Sequence, residues 1–424
     1  MNTDSFNLVT DPWIPVYASR NNTETVGLDT FFTRPADYAT LDIADPLERT
    51  AVTRLLLSIM YTARPGGVPE QEARTALDGD ATMLADIRDY LTDHINLFDI
   101  KHPEHPFLQT AGMRPSGDGT VSNLSRLHPG MQRELWRTGD PNRPIPPDTA
   151  ARMLLTCHAY DVSGIHTGMI GDPLAKQGKR MAQGVGQAGG MTLALVEGRN
   201  MWETLLLNFA PHEGGDKPVW EYGPLTLHPL KPTVTGCAFH YAYPTRRIRL
   251  LWDERGDCKG AYNTFGDRSD WTHPEYEPMA FWGKDDANPA KKLRDNPKPV
   301  NFTFGDLIDR PLWSRWAKGF MEWAEDGAPV RHYPKTFDWA ARLISGGHLY
   351  ITTVRVQYGS QSSTVANVRE DRMVLDHARL VSPETPALAE KLVREAWPHV
   401  KSGMNAVEAW RDADRRMEAW LAGD

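Results

Sequence analysis

The stretch 175–190, AKQGKRMAQGVGQAGG, sets three cations among five glycines without a single acid. Glycine loops of this kind hold phosphates, because exposed backbone amides wrap the anion and neighbouring lysines neutralise it. A P-loop needs a glycine five residues before its Gly-Lys and a hydroxyl after it. Gly178-Lys179 has Pro173 in the first place and Arg180 in the last, so that motif fails. Gly184-x-Gly186-x-x-Gly189 spells the dinucleotide fingerprint, which has to follow a strand and open a helix so that the pyrophosphate meets a helix N-terminus. Here it runs into MTLALV, which favours strand. A nucleotide-binding enzyme built on this loop stays the rival reading, but no cofactor is expected.

Other reactive residues lack partners. His94, Asp99, His102, Glu104 and His105 lie in HINLFDIKHPEHPF, where Pro103 and Pro106 break any helical spacing and no HExxH or cysteine pair helps. Turn-capping histidines are expected there, and no metal. Cys157, Cys237 and Cys258 are odd in number and far apart, which reads as reduced core cysteines. Asp11, Asp45, Asp371 and Asp376 have no local base or metal beside them, and no Gly-x-Ser-x-Gly elbow occurs.

Binding is the chemistry that remains. Eight glycines between Gly164 and Gly190 make a long helix or strand improbable and leave a flexible cationic loop. Lys176, Lys179 and Arg180 either touch phosphate or sit solvated on a connector. The same two readings apply to Arg246, Arg247 and Arg249 in YPTRRIRLLW, and to Lys291, Lys292, Arg294 and Lys298 in a polar loop over 283–300. The net charge of −8 argues against a protein coated by nucleic acid, yet leaves room for a local clamp.

These loops need a scaffold, and 424 residues with 40% apolar side chains and 14 tryptophans can bury one. No apolar run reaches the ~20 residues of a membrane span and the N-terminus lacks signal-peptide character, so a cytoplasmic protein with no membrane partner is expected. FNLVTDPWIPV reads as a short strand followed by an extended segment. ADPLERTAVTRLLLSIMYTA reads as a helix, with Asp45 as cap, Pro46 at the first position and Glu48 closing a capping box. Further helices are expected over 70–94, from Pro147 to Cys157, in WETLLLNFA and in LWSRWAKGFMEWAED; strands are expected in MTLALVEG, across 225–252 and in HLYITTVRVQYG. Beyond about residue 371 the pattern turns helical, with Leu388, Leu392 and Ala396 on one face and Val407, Trp410, Ala413, Met417 and Leu421 on another. The absence of regular β-α-β alternation gives an α+β fold: a large mixed domain over 1–370 and a helical region over 371–424.

NLVTDPWIPV, HPEHPFLQTAG at 102–112, the glycine loop before LVEGRNMWETLLLN, and VQYGSQSSTV near residue 360 occur in this order. Together they resemble the CasA family, the large subunit of the type I-E CRISPR Cascade surveillance complex. The resemblance implies a non-catalytic subunit that joins crRNA-containing Cascade subunits in antiviral defence. Such a subunit recognises the protospacer-adjacent motif of double-stranded target DNA from the minor groove, helps open the duplex for R-loop formation, and provides a platform for a helicase-nuclease. Minor-groove reading suits permissive recognition, because that groove is narrow and its pattern degenerate.

Carried onto this chain, the family's glycine loop falls on 176–190, with Lys176, Gly178, Lys179 and Arg180 as DNA contacts. Its strand-splitting wedge falls on YGSQSS, with Gln361 at the tip and Ser360 and Ser362 as alternatives. A minor-groove lysine corresponds to Lys259. Trp271 to Pro274 match a motif that follows a cysteine cluster in some relatives, of which only Cys258 stands here, so a structural metal is not carried over. The helical tail is shorter than the family's four-helix bundle. A scaffold subunit that never touches DNA is the remaining alternative.

Overall fold

The computed structural model describes residues 4–19, 22–117, 124, 127–129, 143–213, 215, 217–230, 236–267, 276–283, 298–299, 313, 321–323, 329–331, 333–344, 347–382, 384–402 and 406–423. Trp271 to Pro274, Lys291, Lys292 and Arg294 lie outside them, as does the side chain of Lys298.

The N-terminal residues 7–11 form a turn, not the expected strand: Asn7 Oδ1 accepts from Val9 N, and Asp11 Oδ2 accepts from Asn7 N. Strand β1 (Ile14–Ser19) follows and pairs with β2 (Asn22–Val26) and β3 (Thr40–Leu41), and α1 (Leu28–Thr33) stands between the latter two. Helix α2 (Pro46–Ala63) runs through the core. Its Asp45 cap accepts from Leu47 N and Glu48 N as the sequence requires, while the Glu48 carboxylate is engaged by Arg152, 2.6 Å away. The 70–94 segment makes two helices, α3 (Glu70–Leu77) and α4 (Thr82–Asp93), broken at Gly79, whose φ is +105°. Helix α5 (Pro147–Tyr160) packs against α2.

Two short strands, β4 (His166–Thr167) and β5 (Lys179–Arg180), then form a hairpin where the composition suggests an irregular loop. Strand β6 (Leu193–Glu197) and helix α6 (Met201–Asn208) follow in agreement with the pattern. Among the described residues of 225–252 one strand forms: α7 (Cys237–Tyr241) is a short buried helix, and β7 (Arg246–Trp252) pairs with β8 (Cys258–Phe265). Two small antiparallel pairs come next, β9 (Trp282–Gly283) with β10 (Lys298–Pro299), and β11 (Met321–Trp323) with β12 (Pro329–Arg331). The helix expected in LWSRWAKGFMEWAED is therefore replaced by strand at 321–323; of the rest of that stretch only Trp313 is described.

Helix α8 (Lys335–Leu343) leads into a long hairpin of β13 (His348–Tyr358) and β14 (Val365–Asp376). β13 sits between β14 and β6, so its middle residues are buried as a continuous run, without the alternation of a half-exposed strand. The expected change to helix at 371 falls inside β14, which continues to Asp376 in register with β13. Helices α9 (His377–Leu380), α10 (Glu384–Ser402) and α11 (Ala406–Leu421) close the chain. Leu392, Ala396, Trp410, Ala413, Met417 and Leu421 are buried between α10, α11 and the sheet, as their spacing predicts. Among the described residues the sheets are small and antiparallel, with no β-α-β crossover, and together with the helices they make this an α+β fold. Among the described residues no helix is long and apolar enough to cross a membrane.

Candidate nucleic-acid interface

The C-terminus of α5 organises the site. A helix ends with carbonyls that have no partner within it, and buried ones have to find partners elsewhere. The Cys157 carbonyl accepts from Asp161 N at 3.0 Å, and that of His158 from Thr245 Oγ1 at 2.6 Å and Gln187 N at 3.2 Å. Ala159 accepts from Ala188 N at 2.8 Å and Gly189 N at 3.1 Å, and Tyr160 from the Tyr358 hydroxyl at 2.7 Å. Thus the second half of the glycine stretch caps α5, with help from the last residue of β13.

This gives each glycine of the apparent dinucleotide fingerprint a reason of its own. Gly184 holds φ +109°. A Cβ on Gly186 would stand 2.5 Å from the Ala159 carbonyl carbon, and one on Gly189 would stand 2.1 Å from the Tyr358 hydroxyl. Gly186, Ala188 and Gly189 commit their amides to α5 or the residue after it, and none of the three is left to cradle a pyrophosphate.

Arg246 locks the arrangement. Its Nε donates to Asp161 Oδ2 at 2.6 Å, and Nη2 donates to the carbonyls of Val162 and Gly184, each at 3.0 Å. Its guanidinium lies 4.5 Å from the centre of the Phe265 ring. Arg247 is likewise internal, paired with Asp267 at 2.7 Å. Neither side chain is a phosphate contact or a solvated strand face; both are buried staples. His158, walled in beside them, has its pKa lowered to about 4, chiefly by burial, and donates from Nε2 to the Leu108 carbonyl at 2.9 Å.

From this base two tips project. At the end of the connection that joins β4 to β5, Lys176 and Lys179 exchange backbone hydrogen bonds at 2.8 and 3.0 Å across Gln177 and Gly178. Those two residues have φ of +50° and +71°, the left-handed pair of a tight type I′ turn that leads into β5. Lys176, Gln177, Gly178 and Lys179 are exposed. Arg180 departs from the expected role, since its guanidinium is buried against Asp172 at 3.2 Å and braces the hairpin from within. Ile165, Ile170, Leu174 and Met181 leave apolar surface beside the lysines.

The second tip joins β13 to β14. Gly359 N donates to the Thr364 carbonyl at 2.8 Å and Ser362 N to the Gly359 carbonyl at 2.9 Å. Ser360, Gln361, Ser363 and Thr364 are exposed and Ser362 is half-buried, with Gln361 at φ +53° and Ser362 at φ +55°. The carbonyl of Ser362 accepts from Ser163 N at 2.7 Å. Ser163 lies three residues before β4, so both tips rise from one strut. Lys259 is exposed but separate: it lies at the start of β8, about 13 Å along the strand from Asn263, whose carbonyl meets His166 of β4.

The histidine cluster at 94–105 holds turns. His102 Nδ1 accepts from Glu104 N and His105 N, and Asp99 accepts from Ser5 Oγ, Phe6 N and Lys101 N. Among the described residues no group of metal-ligating side chains assembles. Cys157, Cys237 and Cys258 are buried thiols outside any disulfide among the described residues. Gln109, from the HPFLQT motif, accepts from Leu250 N and donates to the Ile100 carbonyl, which ties that motif to β7.

Sequence reasoning missed Arg246 as a staple, Tyr358 as a helix cap and Gln177 as a tip residue. Only the last left a signal, because a residue followed by glycine between two β-compatible flanks is a hairpin pattern.

A family model described as CRISPR-associated protein Cse1 matches residues 7–420. The CasA/Cse1 protein of Thermus thermophilus is 32% identical over 263 residues, covering 60% of this chain and 50% of that protein, so the chain matches half of that relative's length. The crystal structure of Thermobifida fusca Cse1 superposes with a TM-score of 0.81 at 26% identity, over 100% of this chain and 88% of that one. A chain of a CRISPR RNA-guided surveillance complex shares the fold, with a TM-score of 0.70 at 18% identity over 99% of this chain and 87% of that one.

Proposed function

The chain belongs to the Cse1 family of CRISPR-associated proteins, and on that premise we propose that it is a non-catalytic subunit of a type I-E RNA-guided surveillance complex. In this reading it binds double-stranded target DNA at the protospacer-adjacent motif. The lysine-flanked tip at 176–179 engages the groove and its phosphates, while the tip at 360–362 enters beside it and holds the first base pair open. Guide RNA then reads the rest of the target. The same subunit serves as platform for the helicase-nuclease.

The observation that carries the proposal is the common strut: two exposed tips of different hairpins, one cationic and one polar, are anchored to residues 157–163. Rigidly joined tips can turn binding at one into strand separation at the other, because the lysine contacts offset the few kcal/mol of unstacking. The test compares the assembled complex with and without this chain, on duplexes that differ only in the adjacent motif. Discrimination between them should vanish when the chain is omitted. A pure scaffold would leave discrimination intact in any complex that still assembles around Lys179→Ala or Gln361→Gly variants.

A further inference from the structure

A cavity of about 310 Å³ opens between α2, the 39–44 segment and one face of the β14–β13–β6 sheet. Leu195 and Arg372, which line it, both pair with Thr352, about 20 Å along β13 from Tyr358 and the polar tip. Its charges are unevenly matched. Arg49 and Arg372 share one carboxylate, that of Glu370: Arg49 pairs with Oε2, and Arg372 meets Oε1 at 3.3 Å with a side chain that is 69% exposed. Burial, and then the Arg372 charge, hold the Arg49 pKa below its usual value, while Glu197 acts against them. Two guanidiniums on one carboxylate leave a positive charge in excess. On the other side of β13, Glu197 accepts from the Thr352 hydroxyl at 2.5 Å through Oε1, and its Oε2 has no partner among the described residues. A half-buried carboxylate answered only by a hydroxyl keeps its charge uncompensated, a costly arrangement unless a cation joins it.

We propose that this cavity binds a free α-amino acid with an apolar side chain, its carboxylate on Arg372 beside Arg49 and its ammonium on Glu197. The sheet sets the two charged walls apart. Glu197 pairs with Tyr350 and Arg372 with Thr352, so both side chains project from the same face, two strands and two residues apart. That places their Cα atoms about 12 Å from each other, a distance that the two side chains and one small molecule between them can span. A guanidinium suits a carboxylate because its donors form a planar fork, and an ammonium supplies the donors that Glu197 Oε2 can accept. Leu41, Ile43, Leu195 and Met201 give the cavity the apolar surface for the ligand's side chain. The DNA reading makes no use of this site, so the two stand or fall separately.

The test titrates the full chain calorimetrically with L-leucine, L-methionine and L-phenylalanine, and then with L-leucinamide, which lacks the carboxylate, and N-acetyl-L-leucine, which lacks the ammonium. At least one free amino acid should bind with a stoichiometry of one, and both blocked analogues should bind roughly tenfold to a hundredfold more weakly, the worth of one hydrogen bond between charged groups. Arg372→Gln and Glu197→Gln separate the two ends of the ligand. Each replaces a charge by an amide of similar shape at a position that is not fully buried, and melting curves should coincide with that of the unaltered protein. Arg372→Gln should bind leucine no better than leucinamide, and Glu197→Gln should bind leucine no better than N-acetyl-leucine. The proposal is overturned if all three amino acids bind more weakly than about 1 mM, if the blocked analogues bind as well as the free ones, or if both variants keep the affinity of the unaltered protein.

Discussion

Ser163 donates its backbone N–H to the Ser362 carbonyl at 2.7 Å, and this bond joins the loop leading into the cationic hairpin to the polar tip between β13 and β14. Two segments far apart in sequence thus leave the body at one place. Tyr358 reinforces the junction by capping Tyr160, and Gly189 makes room for the tyrosine hydroxyl.

Adding a methyl group at this junction should be costly. Gly189→Ala places a carbon 2.1 Å from the Tyr358 hydroxyl and Gly186→Ala one 2.5 Å from backbone, whereas Gly190 has nothing within 4 Å. Chemical denaturation should show losses of about 2 kcal/mol for Gly189→Ala and about 3 for Gly186→Ala, against little change for Gly190→Ala.

Removing the staple should cost more. Arg246→Ala leaves Asp161 buried and without its cation, which is worth about 4 kcal/mol in comparable buried pairs. Arg246→Lys recovers only part, because one ammonium cannot span Asp161, Val162 and Gly184 as the guanidinium does. Denaturation midpoints of the two variants test the order.

Acid should weaken the fold through His158. Its folded pKa of about 4 lies below the ordinary histidine value of 6.5, so the unfolded chain binds the extra proton first. The stability linked to this group is complete above about pH 6.5 and is lost as pH falls toward 4, up to roughly 3 kcal/mol. Stability against pH should slope downward over that window, and His158→Gln should flatten the slope.

Charge removal separates surface cations from internal ones. Lys176→Ala/Lys179→Ala should lower duplex affinity and reduce the salt slope of log K by roughly 1.8, about 0.9 for each phosphate that a lysine no longer neutralises. Arg180→Ala should leave the slope unchanged and destabilise the hairpin, since its partner is Asp172. Binding titrations at several salt concentrations distinguish them.

Where local rules decide structure, the sequence is readable. Asp45, Pro46 and the apolar stripe from Leu55 to Met60 specify α2 without outside help, and the spacing of Leu392, Ala396, Trp410 and Met417 gives the buried faces of α10 and α11. Arg246 and Arg247 are not readable that way: consecutive arginines on a strand suggest solvent or phosphate, and only Asp161 and Asp267, brought in by the fold, turn them inward. The glycine stretch carries two signals at once. Its composition suggests one flexible loop, yet 166–180 is an ordered hairpin and 184–189 a cap whose spacing imitates a nucleotide motif because α5 and Tyr358 press against it. The tip residues Gln361 and Ser360 are legible only by resemblance, since a polar turn between strands looks the same whatever it touches.

Opening of the first base pair beside the adjacent motif, followed by the fluorescence of a 2-aminopurine placed there in the assembled complex, tests the two-tip account most directly. Gln361→Gly should bind the duplex with near-native affinity and open it about tenfold more slowly, the effect of about 1.4 kcal/mol on the barrier. Lys176→Ala/Lys179→Ala should bind weakly and open normally once saturated. If both variants bind and open the duplex as the unaltered protein does, the tips do not act on DNA and the account is contradicted.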